Sequence, residues 1–135
     1  MFRSVEAGSG SLDSEVQEAL PQMFSVQEIN VPIDTLDHQL EVHHFPLPDF
    51  IKIDVEGFED KVLNGMQQIF TKVRPQLFIE LHGFLMPDNC QNYWRGIVEP
   101  LISLGYTIKH IENNKLIDLD IPNFPLNGHL YCWID

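Results

Sequence analysis

The pattern of apolar and polar residues predicts two buried strands, each followed by a helix. The first strand covers residues 50–55, where isoleucine and valine alternate with one lysine and one aspartate. Apolar residues then recur at helical spacing, which predicts a helix that ends near Lys72. The second strand covers residues 76–82 (QLFIELH), and the helix behind it ends at Gly105. This order is typical of an α/β fold.

The segments on either side complete the expected architecture. Residues 1–25 are polar and poorly periodic, which predicts a loop-rich segment with one short helix, whereas residues 26–33 alternate as a strand does. After the second helix we expect three more strands, at residues 106–111, 116–119 and 128–134. The sequence therefore predicts one domain over residues 1–135, with helices on a mostly parallel sheet and an antiparallel last strand.

Composition narrows the classes of partner. The chain has 135 residues, 44% of them hydrophobic, which is enough for the core of one domain. Eight basic and twenty acidic residues give a net charge of −12, which argues against nucleic acid or an anionic membrane as partner. No apolar leader or spanning segment is found in the sequence, so a cytoplasmic location is expected. Cys90 and Cys132 lack metal-site spacing and are expected to be buried, reduced thiols.

Charged residues inside the two buried strands are the main sign of chemistry. Lys52 and Asp54 share one face of the first strand, and Glu80 and His82 share one face of the second. Ligands of open α/β sheets bind beyond the carboxyl ends of the strands, where these residues lie. If the two strands are neighbours, all four side chains meet there.

The residues themselves leave several roles open for this group. It can perform general acid–base chemistry through His82, or hold a divalent metal through carboxylate and imidazole. Lys52 and Asp54 can equally form a structural ion pair. The acidic residues Glu56, Glu59 and Asp60 are most simply partners of the helix dipole. We assign no metal ligand from the sequence.

Three segments resemble the FkbM family of S-adenosylmethionine-dependent methyltransferases. They are VPIDTLD, IKIDVEGFEDKVLNG and RPQLFIELHG, and they follow one another in the family's order between residues 26 and 83. The resemblance implies the C-terminal half of a Rossmann-like class I methyltransferase sheet, with its strands four to seven in residues 26–135. It also implies methyl transfer to an oxygen of a small molecule or sugar.

The resemblance also suggests roles for individual residues. It places Asp54 and Glu56 near the transferred methyl group, with Asp54 as the cofactor contact. It places Glu80 and His82 on the acceptor side. Catalysis is thus expected from Asp54, Glu56, Glu80 and His82, and substrate binding from Lys52, His82 and Gly83.

Two family elements are not found in the sequence. Members carry an Asp-x-Gly-x-Asn-x-Gly loop for the cofactor and a strand ending in an acidic residue for its ribose. Without them we expect the chain to bind S-adenosylmethionine weakly or not at all and to be inactive alone. A sheet without its first strands would also expose an edge near Ile53, which invites self-association unless the N-terminal segment covers it. The alternative is a non-catalytic α/β binding or assembly module of the same fold.

Overall fold

A computed structural model describes residues 2–4, 10–11, 26–28, 31–85, 88–119 and 124–135. The chain divides into two compact units, Met1–Ile33 and Asp34–Asp135. The first contains a three-stranded antiparallel sheet of order β2-β1-β3. Its strands are β1 (Phe2–Ser4), β2 (Gly10–Ser11) and β3 (Val26–Glu28).

This small sheet corrects two expectations for the N-terminal segment. Strands β1 and β2 lie where we predicted loops, because their two or three residues are too short to show a period and form only by pairing with each other and with β3. The strand predicted over residues 26–33 ends early: Val31 and Ile33 are exposed and outside any strand, next to Pro32, which has no N–H to donate. The short helix predicted in residues 12–20 lies outside the described residues.

The second unit alternates helices and strands as predicted. The helix predicted after the first buried strand is divided at Gly65 and Met66 into two short helices. In chain order the elements are α1 (Leu36–His43), β4 (Phe50–Ile53), α2 (Glu59–Asn64), α3 (Gln67–Lys72), β5 (Gln76–His82), a 3-10 turn (Gly83–Leu85), α4 (Cys90–Ser103), β6 (Thr107–His110), β7 (Lys115–Leu116) and β8 (Asn127–Trp133).

The sheet of this unit has the strand order β4-β5-β8-β6-β7. Strands β4 and β5 pair in parallel, and every other pair is antiparallel. Since β8 is antiparallel to both β5 and β6, strands β4, β5 and β6 run in one direction and β7 and β8 in the other. The antiparallel last strand is confirmed. The expectation of mostly parallel pairing is wrong, because β8 is inserted between β5 and β6.

One face of the sheet carries the core. Leu77, Ile79 and Leu81 of β5 are at most 1% exposed, whereas Phe78 and Glu80 on the other face are partly exposed. The core also contains Met66, which lies between α2 and α3, and apolar residues of the helices: Leu63, Ile69, Phe70, Trp94, Ile97, Val98 and Leu101. Strand β4 is an edge of this sheet. In the described part of the chain, no helix has the length and apolar character needed to cross a membrane.

Candidate functional site

The parallel pairing of β4 and β5 brings the predicted site residues together. Ile53 lies opposite Ile79, so the carboxyl ends of both strands meet at one edge of the sheet. There the Nζ of Lys52 lies 2.9 Å from Oδ2 of Asp54 and 3.8 Å from Oε2 of Glu80. We call the five side chains at this edge the polar cluster: Lys52, Asp54, Glu56, Glu80 and His82.

Lys52 and Asp54 form the ion pair that their spacing predicted. The hydrogen bond from the Lys52 ammonium lowers the pKa of the Asp54 carboxyl, and the same contact raises the pKa of Lys52. Both groups are therefore charged at neutral pH. The ammonium is bonded to Oδ2 of Asp54, and Oδ1 of the same carboxylate faces His82 instead.

The turn after β4 directs a further carboxylate into the polar cluster. Glu56 and Gly57 both have positive φ angles, 54° and 96°. Glycine adopts such angles freely, but for glutamate they cost about 1 to 2 kcal/mol. The turn brings Oε2 of Glu56 to 3.6 Å from Nε2 of His82. Backbone strain is thus stored where the cluster is built.

The carboxylate of Glu59 fixes the ring of His82 through its Nδ1 atom. Its side chain is completely buried at the start of α2. It accepts hydrogen bonds from Nδ1 of His82 at 2.9 Å, from the hydroxyl of Tyr93 at 2.7 Å and from the N–H of Gly57 at 3.2 Å. Burial raises the pKa of Tyr93, so its hydroxyl remains a neutral donor. Glu59 is therefore a structural anchor for the site.

The role of Glu59 exceeds the helix-dipole interpretation that the sequence suggested, because Glu59 accepts hydrogen bonds from His82 and Tyr93 inside the protein. One signal pointed in this direction. Glu59, Leu63 and Met66 follow the spacing i, i+4, i+7, and all three are buried. A carboxylate on the buried face of a helix needs hydrogen-bond partners inside the protein.

His82 presents one ring nitrogen to the polar cluster. The residue is 5% exposed, and the bond to Glu59 assigns its proton to Nδ1. Its Nε2 faces Asp54 at 3.9 Å, Glu56 at 3.6 Å and Glu80 at 3.9 Å. These distances exceed the length of a hydrogen bond. Among the described residues, Nε2 therefore has three carboxylate neighbours and no hydrogen-bond partner.

A second group of polar residues continues from Glu80 across β8. The Oε2 atom of Glu80 lies 3.6 Å from Nε2 of His129. The ring and the backbone N–H of His129 both donate to Glu112, and these bonds lower the pKa of Glu112 to about 2. His110 is only 3% exposed, and its ring is bonded to the carbonyl of Asn127. The reason is that β6 places it on the same face as the buried Ile108.

Three further residues that the sequence analysis named are not part of the polar cluster: Gly83, Cys90 and Cys132. Gly83 is buried, and a Cβ there would lie 3.1 Å from both Leu126 and Tyr93, so it fills a packing position. Cys132 is a buried free thiol whose pKa burial raises to about 12, whereas Cys90 is half-buried. A groove of about 350 Å³ between α1 and α3 includes no residue of the polar cluster.

Comparison with known proteins identifies the family. A model of the methyltransferase FkbM domain matches residues 4–115, which extends well beyond the segments that carried the resemblance in sequence. No curated protein and no solved structure matches the chain. Because the family model covers more than half of the 135 residues, the protein belongs to the FkbM methyltransferase family.

Proposed function

We propose that this chain carries the acceptor side of an S-adenosylmethionine-dependent methyltransferase that acts on a hydroxyl oxygen of a small molecule or sugar. Family membership supports the reaction class. The observation that carries the site is the free Nε2 of His82, which Glu59 fixes in a ring of three carboxylates. That ring lies beyond the carboxyl ends of two adjacent parallel strands, where ligands of such sheets bind.

The polar cluster suits an acceptor hydroxyl. A hydroxyl can donate a hydrogen bond to a carboxylate of Asp54, Glu56 or Glu80 and accept one from the ammonium of Lys52. Methylation of the oxygen releases the hydroxyl proton, and the carboxylates and Nε2 of His82 are the groups that can receive it. Because Glu59 and the backbone turn fix these groups beforehand, little ordering remains to be done when the acceptor binds.

The cofactor fits this site only at its reactive end. S-adenosylmethionine supplies the methyl group from a sulfonium, which anionic side chains such as Asp54 favour. The family's glycine-containing loop is not found in the sequence, and the described residues offer no evident partner for ribose or adenine. Each lost charged hydrogen bond costs about 1.5 to 3 kcal/mol, against about 8 kcal/mol for a micromolar affinity. We therefore propose millimolar binding by this chain and no turnover by it alone.

A methyl-transfer assay tests the proposal. The chain alone should transfer no label from methyl-labelled S-adenosylmethionine to sugar or small-molecule hydroxyls. A fusion that adds the upstream strands and glycine-containing loop of another family member should transfer it. In that fusion His82→Gln should lower the rate at least about 100-fold, the usual loss for a group that moves the proton.

Asp118→Asn is the matched control, since this exposed aspartate follows β7 at the opposite edge of the sheet. It should leave the rate unchanged. Thermal unfolding of each variant separates a lost function from a lost fold. A folded fusion that binds the cofactor and methylates no hydroxyl would contradict the proposal and favour the non-catalytic module.

A further inference from the structure

We infer that Asp54, Glu80 and His82 bind a divalent transition-metal cation such as Mn²⁺. Binding itself is independent of methyl transfer. Only the use of the metal to hold the acceptor rests on the proposed function.

The ligand atoms already have nearly the required spacing. One oxygen of Asp54, one of Glu80 and a ring nitrogen of His82 all lie within 4.8 Å of one another. Ligand atoms about 2.1 Å from one metal ion are roughly 3 to 4 Å apart, so a rotation of the two carboxylates closes the difference. Both carboxylates are partly exposed, which leaves further coordination positions open to water or an acceptor oxygen.

The state of His82 is independent support for the site. His82 is 5% exposed as a residue, yet its Nε2 is not one of the buried atoms, so a ligand can reach this nitrogen. Its Nδ1 is paired with Glu59, but among the described residues its Nε2 makes no hydrogen bond and points at carboxylate oxygens. This nitrogen faces three carboxylates at 3.6 to 3.9 Å, a spacing that leaves room for a cation between them. A histidine whose other nitrogen donates to a carboxylate is the usual arrangement of a metal ligand.

The net negative charge of the site also favours the binding of a cation. Asp54, Glu56, Glu59 and Glu80 contribute four negative charges, and Lys52 is the one lysine or arginine paired with them in the described part of the chain. The sum is −4 + 1 = −3. A divalent ion offsets most of it. The imidazole ligand favours a transition metal over Mg²⁺ or Ca²⁺, which prefer oxygen ligands alone.

Glu56 completes the inferred chemistry. Its carboxylate lies 3.6 Å from Nε2 of His82 but is not one of the three ligands. An acceptor hydroxyl coordinated to the metal loses its proton more readily than a free one. Because Nε2 of His82 is then bound to the metal, Glu56 is the group that can receive that proton from the coordinated oxygen. The carboxylates alone would repel a deprotonated hydroxyl. A bound cation would allow the site to hold the acceptor in this anionic form.

Titration of the 135-residue chain with Mn²⁺ tests the site without any methyl donor. Loss of the free Mn²⁺ signal in electron paramagnetic resonance should show one site per chain. Asp54→Asn and Glu80→Gln should each weaken binding at least tenfold. Both residues are partly exposed, so the variants should fold, as circular dichroism can verify. Asp118→Asn removes the same charge at the opposite sheet edge and should bind as the wild type does.

A second measurement addresses the histidine directly. Pulsed electron paramagnetic resonance of bound Mn²⁺ should show coupling to an imidazole nitrogen, and His82→Asn should abolish it. No binding below millimolar Mn²⁺, equal binding by all variants, or bound Mn²⁺ without nitrogen coupling would each overturn the inference. None of them bears on methyl transfer by the fusion protein.

Discussion

Replacing Glu59 with alanine is expected to cost about 3 to 5 kcal/mol of unfolding free energy. The carboxylate is completely buried and accepts hydrogen bonds from His82, Tyr93 and the backbone of Gly57. Its removal leaves three buried hydrogen-bond donors without an acceptor and creates a cavity. Breaking a buried charged network carries a cost of this size. Urea denaturation followed by circular dichroism measures it.

Two variants show whether the buried network is the cause. Glu59→Gln keeps the volume and one accepting oxygen, so it should cost about 1 to 2 kcal/mol. Glu99→Ala removes an exposed glutamate of α4, whose contact is an ion pair with Arg95, and should cost less than about 1 kcal/mol. If Glu59→Ala lowers the free energy of unfolding by less than about 1 kcal/mol, the hydrogen bonds of Glu59 are not what fixes the ring of His82.

Gly128→Ala is expected to cost about 3 kcal/mol. Gly128 lies in β8 opposite Leu81 and has a φ of 93°, which side-chain-bearing residues adopt only with strain. A Cβ there would also lie 2.5 Å from Oε2 of Glu112 and 2.8 Å from Nε2 of His110. The costs of backbone strain and of overpacking add to each other. The new Cβ should also displace the side chain of Glu112 and so weaken its hydrogen bonds with His129.

Gly105 provides the matched control for this substitution. It follows the end of α4 with a φ of 87°, and a Cβ there would meet no atom within 4 Å. Gly105→Ala therefore reports the backbone strain alone, about 1 kcal/mol. Thermal or urea unfolding of both variants gives the comparison. Equal losses would show that the contacts with Glu112 and His110 are unimportant.

The sequence predicted the polar cluster because local rules position its residues. Charges that alternate with isoleucine and valine in a buried strand must share a face, and both strands end in polar residues. The parallel pairing that joins Asp54 to Glu80 follows from the strand, helix, strand order. These relations follow from side-chain alternation within each strand and from the order of the elements along the chain.

Other features depend on contacts that periodicity does not encode. The position of β8 between β5 and β6 is fixed by long-range strand pairing, in which Cys132 lies opposite both Leu77 and Ile108. The bond between Glu59 and His82 joins residues 23 positions apart. Such contacts appear only when the fold brings the elements together.

The most direct test of the central claim is a titration of the ¹⁵N-labelled chain with S-adenosylmethionine, followed by NMR. The claim is that the reactive end of the cofactor lies against the polar cluster. We expect millimolar affinity, with the largest amide shifts in residues 54–57 and 80–83. Low-micromolar binding, the largest shifts in the groove between α1 and α3, or no shift in either segment at saturating cofactor would contradict the account.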